Sequence, residues 1–224
     1  MTFLEIINKA LIELNFKPIT SLSSTKIDQV KLRNAINRVN KSIVLSNDFW
    51  FRQNKTTLVV DDSIEFANPA TGKILFIKDN AIHYRYELDY TKIYDGTSAG
   101  LVYSFFGDKI LFPSSDPSVT VDIYYLTDSP AVNASGVEIS EMTTITDVSI
   151  IPDKYQETVL VNGACMQFKA MVTHPKYQHW KTEYIKAIAE LRAECLNDSE
   201  ERPSISIYNP VKTINEQSFG HIYG

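Results

Sequence analysis

Residues Gly96-Thr97-Ser98-Ala99-Gly100 match G-x-S-x-G, the nucleophile elbow of serine hydrolases. Such a serine is presented for attack only when a strand leads into it and a helix leads out. Here residues 101–106 alternate like a strand, so the helix is missing and a Gly/Ser hairpin loop is expected. The four histidines are His83, His174, His179 and His221. His174 and His179 stand five apart across Pro175, so they do not share a helix face as H-x-x-x-H zinc ligands do. His83 sits in an alternating stretch beside Tyr84, where a surface or packing role is expected. Cys165 and Cys195 lie on apolar helix faces without a C-x-x-C, which reads as free core thiols. Two cysteines cannot make a disulfide scaffold, and a reducing compartment suits them.

The carboxylate pairs Asp61-Asp62 and Glu138 with Glu141 fall in turns and loops, where solvated residues are the rule. There is no G-x-G-x-x-G and no P-loop, and eight glycines leave little for a phosphate cradle. Aromatic strands could stack sugars or bases, but base stacking comes with cations along the strands. His83, Arg85, Lys73, Lys78 and Lys109 are a thin supply, so core packing is the expected role of the aromatics. No enzyme activity, cofactor or metal is expected.

The elements that would position these residues follow from a chain of 224 residues with net charge −5 and 44% hydrophobic residues. Twelve Tyr and eleven Phe are too much apolar surface for disorder to be the main state. No apolar run approaches the roughly 20 residues of a membrane span, and the opening Met1-Thr2-Phe3-Leu4-Glu5 is not a signal peptide. The acidic balance argues against a protein whose main task is gripping nucleic acid.

Thr2 and Glu5 form a capping box ahead of Phe3, Ile6, Ile7, Ala10, Leu11 and Leu14, a helix stopped by Lys17-Pro18. A second helix is expected over residues 26–47, on the order of 33 Å long, with good caps at 23–25. Leu32, Ile36, Val39 and Ile43 form its packing seam, and Lys31, Arg33, Asn34, Arg38 and Lys41 its opposite face. From residue 56 to 126 the period is two. Hairpins are expected around Asp61-Asp62, Asp79-Asn80 and Gly107-Asp108, giving six or seven antiparallel strands in a barrel or sandwich. Residues 127–150 read as a long polar connection with a weak strand at 137–139. Helix returns over 152–172, with Gly163-Ala164 allowing close approach to the second helix, and a last helix follows Pro175 with Tyr177, Trp180, Tyr184, Ala187, Ile188, Leu191 and Cys195 on one side, its pattern dissolving after Asn197.

The expected class is α+β. Residues 1–50 and 151–198 form an antiparallel helix bundle, 51–150 an inserted antiparallel β barrel or sandwich, and 199–224 an extended C-terminal arm. The arm carries apolar residues spaced as anchors: Ile205, Ile207, Tyr208, Val211, Ile214, Phe219, Ile222 and Tyr223. It is expected to bind a partner or a neighbouring subunit, and its last 25 residues could reach roughly 80 Å when extended.

This order of elements resembles the tail tubular protein A or head-to-tail adaptor family of short-tailed phages. The resemblance rests on Leu4-Glu5-Ile6-Ile7-Asn8-Lys9-Ala10-Leu11-Ile12-Glu13-Leu14 and on Leu32-Arg33-Asn34-Ala35-Ile36-Asn37-Arg38-Val39 closing at Phe49-Trp50-Phe51. It also rests on Ile151-Pro152-Asp153-Lys154-Tyr155 leading to Leu160-Val161-Asn162-Gly163-Ala164, and on Trp180-Lys181-Thr182-Glu183-Tyr184 through Leu191. The resemblance implies a virion protein at the head-tail junction, present in the host cytoplasm during assembly. It implies a ring of twelve copies that binds the portal and a downstream tail or nozzle protein and passes genomic DNA without sequence-specific contact. No membrane is implied. Twelve chains at −5 each carry a formal −60, and an acidic bore would repel phosphate and let DNA slide. Two other readings stand beside it: a β-rich receptor- or glycan-binding module on a virion, and a serine hydrolase using Ser98.

Overall fold

A computed structural model describes residues 1–196 apart from 24–25, 81, 116 and 170–173. The expected arm from Ile205 to Tyr223, and His221, lie outside the described residues.

Helix α1 (Phe3–Glu13) starts as its sequence dictates. The Thr2 amide donates to Glu5 Oε2 at 2.7 Å and the Glu5 amide donates to Thr2 Oγ1 at 3.4 Å, closing the capping box. Its carboxylate is held below the usual range, first by the Thr2 backbone bond. Helix α2 (Ile27–Val44) buries Leu32, Ile36, Val39 and Ile43, the expected seam, and ends three residues earlier than residue 47. The helix expected from Pro152 is α4 (Asp153–Gln156), a π turn (Glu157–Val161) and α5 (Asn162–Phe168) in succession. Helix α6 spans Tyr177–Cys195. Phe3, Ile7, Ile36, Val159, Ala164, Trp180 and Leu191 share one core, so segments from both ends of the described chain bury each other.

The chain is mixed α+β with several antiparallel sheets. One sheet has the order β1 (Gln53–Val60), β8 (Val119–Leu126), β3 (Lys73–Asp79), β4 (Ile82–His83). A second has the order β2 (Glu65–Ala67), β7 (Lys109–Leu111), β6 (Val102–Phe106), β5 (Arg85–Tyr86). Val60, Ile77, Val121 and Ile123 of the first meet Tyr103 and Ile110 of the second, and Phe112 just past β7, in a common core. No barrel closes among the described residues. Hairpins form at Asp79-Asn80 and at Gly107-Asp108, where Asn80 and Gly107 take positive φ (47° and 61°). The hairpin expected at Asp61-Asp62 does not form. β1 pairs with β8 and β2 with β7, so the chain changes sheets there. β5 and β6 pair in parallel, against the all-antiparallel expectation, because the short α3 (Thr91–Tyr94) carries the chain back between them.

Residues 127–150 do more than connect. They form a third sheet, β10 (Glu138–Ile139), β9 (Ala131–Val132), β11 (Val148–Ser149), which docks on the helices. Ala131 and Met142 enter the helical core. Asn37 exchanges two hydrogen bonds with the Met142 backbone, at 2.9 and 3.1 Å. Buried Asn40 donates to Pro130 O at 2.9 Å and accepts from Ser149 Oγ at 2.7 Å. Side-chain amides thus satisfy backbone groups that water cannot reach.

Asp147 ties the same segment to α1. Its carboxylate accepts from the Thr143 amide at 2.6 Å, the Thr144 amide at 2.7 Å and Thr144 Oγ1 at 2.6 Å, while its carbonyl accepts from the Phe3 amide at 2.8 Å. Burial alone would raise its pKa, but the bonds from Thr144 and Thr143 outweigh it and the net shift is downward. A depressed folded pKa gives stability that is present above the unfolded value of about 4 and is lost as pH falls through the folded one. Asp147→Asn is expected to cost about 1–3 kcal/mol at neutral pH. Paired urea melts should show the gap between wild type and variant closing on acidification. A gap independent of pH would count against this role.

Candidate functional site

Ser98 follows α3 and precedes strand β6, the reverse of an elbow's strand-then-helix context. Its hydroxyl is buried and has no hydrogen-bond partner among the described residues, so no base is placed to take its proton. His83 is exposed on β4, its ring 5.2 Å from Phe76. His174 stacks on Trp180 at 5.1 Å, and its Nδ1 accepts from the Lys176 amide at 3.3 Å. Cys165 is buried and its thiol is pushed up to about 12 by that burial, while Cys195 is shifted the same way. Neither offers a thiolate at neutral pH. Among the described residues no group of three or more His, Cys, Asp or Glu could hold a metal.

A groove between α1, the π turn and α6 is lined by both acidic and basic groups, among them Lys9, Glu13, Glu157, His179 and Glu183. Its charges are largely compensated within the fold. Lys9 pairs with Glu157, and Glu13 takes Lys176 at 3.5 Å and Trp180 Nε1 at 3.4 Å.

Two surfaces remain. The first is an exposed aromatic cluster beside α3: Tyr90 lies 5.2 Å from Phe106, Tyr94 6.5 Å from Phe106, and Phe106 is half exposed. Tyr94 donates to Glu65 at 2.7 Å, which also pairs with Lys109. Sequence alternation puts Phe106 in a strand whose aromatics are expected to pack a core. The structure corrects this, because at this end of the sheet the outward face also carries aromatics.

The second surface is the outer face of α2. Lys31, Asn34, Arg38 and Lys41 are all exposed. They line two adjoining shallow depressions with Ala35, Asn37, Glu141, Gln167 and Phe168. None of Lys31, Arg38 or Lys41 forms an ion pair among the described residues. The sequence already placed these residues opposite the buried seam. That they make no ion pair although Glu141 borders the depression depends on tertiary packing.

No family model matches this chain, and no curated protein matches it closely enough to be counted a relative.

Proposed function

We propose that the chain is a structural protein of a short-tailed phage virion, a head-to-tail adaptor forming a ring of twelve between portal and tail that serves as a DNA conduit. The observation that carries this reading is the helical core shared by α1, α2, α5 and α6, with the paired sheets inserted between its two halves. That order of elements is what the resemblance to adaptors rests on. In this reading the helices are the ring-building bundle and the two facing sheets the inserted β sandwich. Residues 199–224 are the arm that grips the portal or a neighbouring subunit through Ile205, Ile207, Tyr208, Val211, Ile214, Phe219, Ile222 and Tyr223.

Particle imaging of virions, with an antibody against this chain, should label the junction of head and tail. Solution mass should rise to a ring when portal rings are added. Label on capsid fibres, with no change of mass beside the portal, would sink the proposal.

The aromatic cluster of Tyr90, Tyr94 and Phe106 favours one other reading, a receptor- or glycan-binding module. Exposed rings bordered by carboxylate and ammonium groups suit sugar faces and hydroxyls. A monomer or trimer that binds glycans, and loses them on Tyr90→Ala, would select that reading over the ring.

A further inference from the structure

We propose that the exposed face of α2 is a phosphate-contacting stripe for duplex DNA, with Lys31, Arg38 and Lys41 as the cations and Asn34 as a neutral donor between them. The choice of DNA rests on the conduit reading, whereas the stripe rests on the helix itself.

Positions 31, 34, 38 and 41 fall within an arc of roughly 80° around the helix axis, and Lys31 to Lys41 spans about 15 Å along it. All four side chains are exposed, while Leu32, Ala35, Ile36 and Val39 between them are buried. The helix is thereby held rigidly and presents a straight row of donors. Duplex DNA carries one negative charge per about 1.7 Å of axis, so a row of this length faces several phosphates at once.

The acidic groups bordering the row are few. Asp28 lies in the first turn of α2, and Glu141 borders the depression beside Arg38 and Lys41. No ion pair among the described residues reaches the three cations. Lys181, Lys186 and Arg192 of α6 also have no ion pair among the described residues, but they are spread over about 140° of their helix, so what sets the α2 row apart is that its cations share one narrow arc.

An acidic protein partner would be the competing occupant. Protein interfaces draw on an apolar or aromatic centre. Along α2 the exposed large apolar residues are Ile27 and Leu45, one at each end, with none between them. Phosphate contact is electrostatic and needs no apolar centre, so the row suits a polyanion. Three cations on a chain of net charge −5 also suit a duplex that must slide. The contact is local, weak and salt-labile, against a repulsive background.

The test is a titration of the full chain with a fluorescent duplex, read by anisotropy across a series of low salt concentrations. Three phosphate contacts predict a slope of log affinity against log salt of about −2.7. The triple variant Lys31→Gln, Arg38→Gln, Lys41→Gln should lose this binding. The triple variant Lys181→Gln, Lys186→Gln, Arg192→Gln carries the same change of charge on exposed positions of α6 and should keep it. Circular dichroism of both variants checks that each is folded. Equal loss in both would make the binding a matter of bulk charge and overturn the stripe. Binding of polyglutamate without duplex, or no duplex binding at the lowest salt, would also overturn it. These failures leave the ring proposal standing, because that is decided by where the chain sits in the particle.

Discussion

Arg52→Met is expected to destabilise the fold by about 2–4 kcal/mol and to loosen the join between its helical and β parts. Arg52 closes the short 3-10 turn (Trp50–Arg52) that hands α2 over to β1, and it is only 5% exposed. Its Nε donates to Thr127 O at 2.9 Å and its Nη1 to Asn47 O at 2.8 Å. Nη2 meets Asp128 Oδ1 at 2.8 Å, and Asp48 lies 3.7 Å from Nη1. One side chain thus holds the end of α2, the end of β8 and both flanking carboxylates. Methionine fills the stem's volume but donates nothing, so two carbonyls lose their donors. The carboxylates are half exposed and can turn to water, which limits the ionic part of the loss.

Arg52→Lys should recover part of the loss, since an ammonium can meet one acceptor but not the fork of three. Urea unfolding followed by near-ultraviolet and far-ultraviolet signals gives the check. Non-coincident transitions in Arg52→Met are the expected sign that the parts have come uncoupled. A melt superimposable on wild type would show that the join lies elsewhere.

Gly163→Leu is expected to cost about 1–3 kcal/mol through overpacking. A Cβ at this position would sit 2.8 Å from Val39 Cγ1 and 2.9 Å from Tyr184 Cε2, closer than carbons tolerate. Gly163 is therefore the point where α5 presses on α2 and α6 together. Val39 is stiff at χ1 and buried, so it cannot swing away. Gly163→Ala already carries this Cβ and should destabilise too, though less than Gly163→Leu. Alanine's helix preference over glycine, about 1 kcal/mol, offsets part of the strain, and leucine adds three further carbons to the clash. Combining Gly163→Leu with Val39→Ala should recover more stability than the single effects predict by addition, the mark of direct contact. Unchanged melting temperature for Gly163→Leu would remove the three-helix contact from the account.

Features with local causes were legible from the residues alone. The Thr2/Glu5 box, the apolar rows of α1 and α2 and the Gly107 hairpin each depend on residues a few positions apart. Capping chemistry, helical period and positive φ act at that range. The outer face of α2 was legible on the same ground, as the half of a helix opposite its seam.

Tertiary structure alone decided the partners. Alternation tells which side of a strand is buried, but not which strand lies beside it. The segment after Asp62 therefore read as a hairpin return, whereas β1 pairs with β8 from the far end of the β region. The same limit hid the parallel pairing of β5 with β6, and the outward turn of Tyr90 and Phe106. The polar stretch 127–150 gave no periodic signal of its docking, because isolated side-chain and backbone hydrogen bonds at Asn37, Asn40 and Asp147 tie it to helices far away in the chain. What leaves Lys31, Arg38 and Lys41 without an ion pair among the described residues is likewise a property of packed surfaces. Ion pairs form between groups brought close in space, and only the folded chain sets those distances.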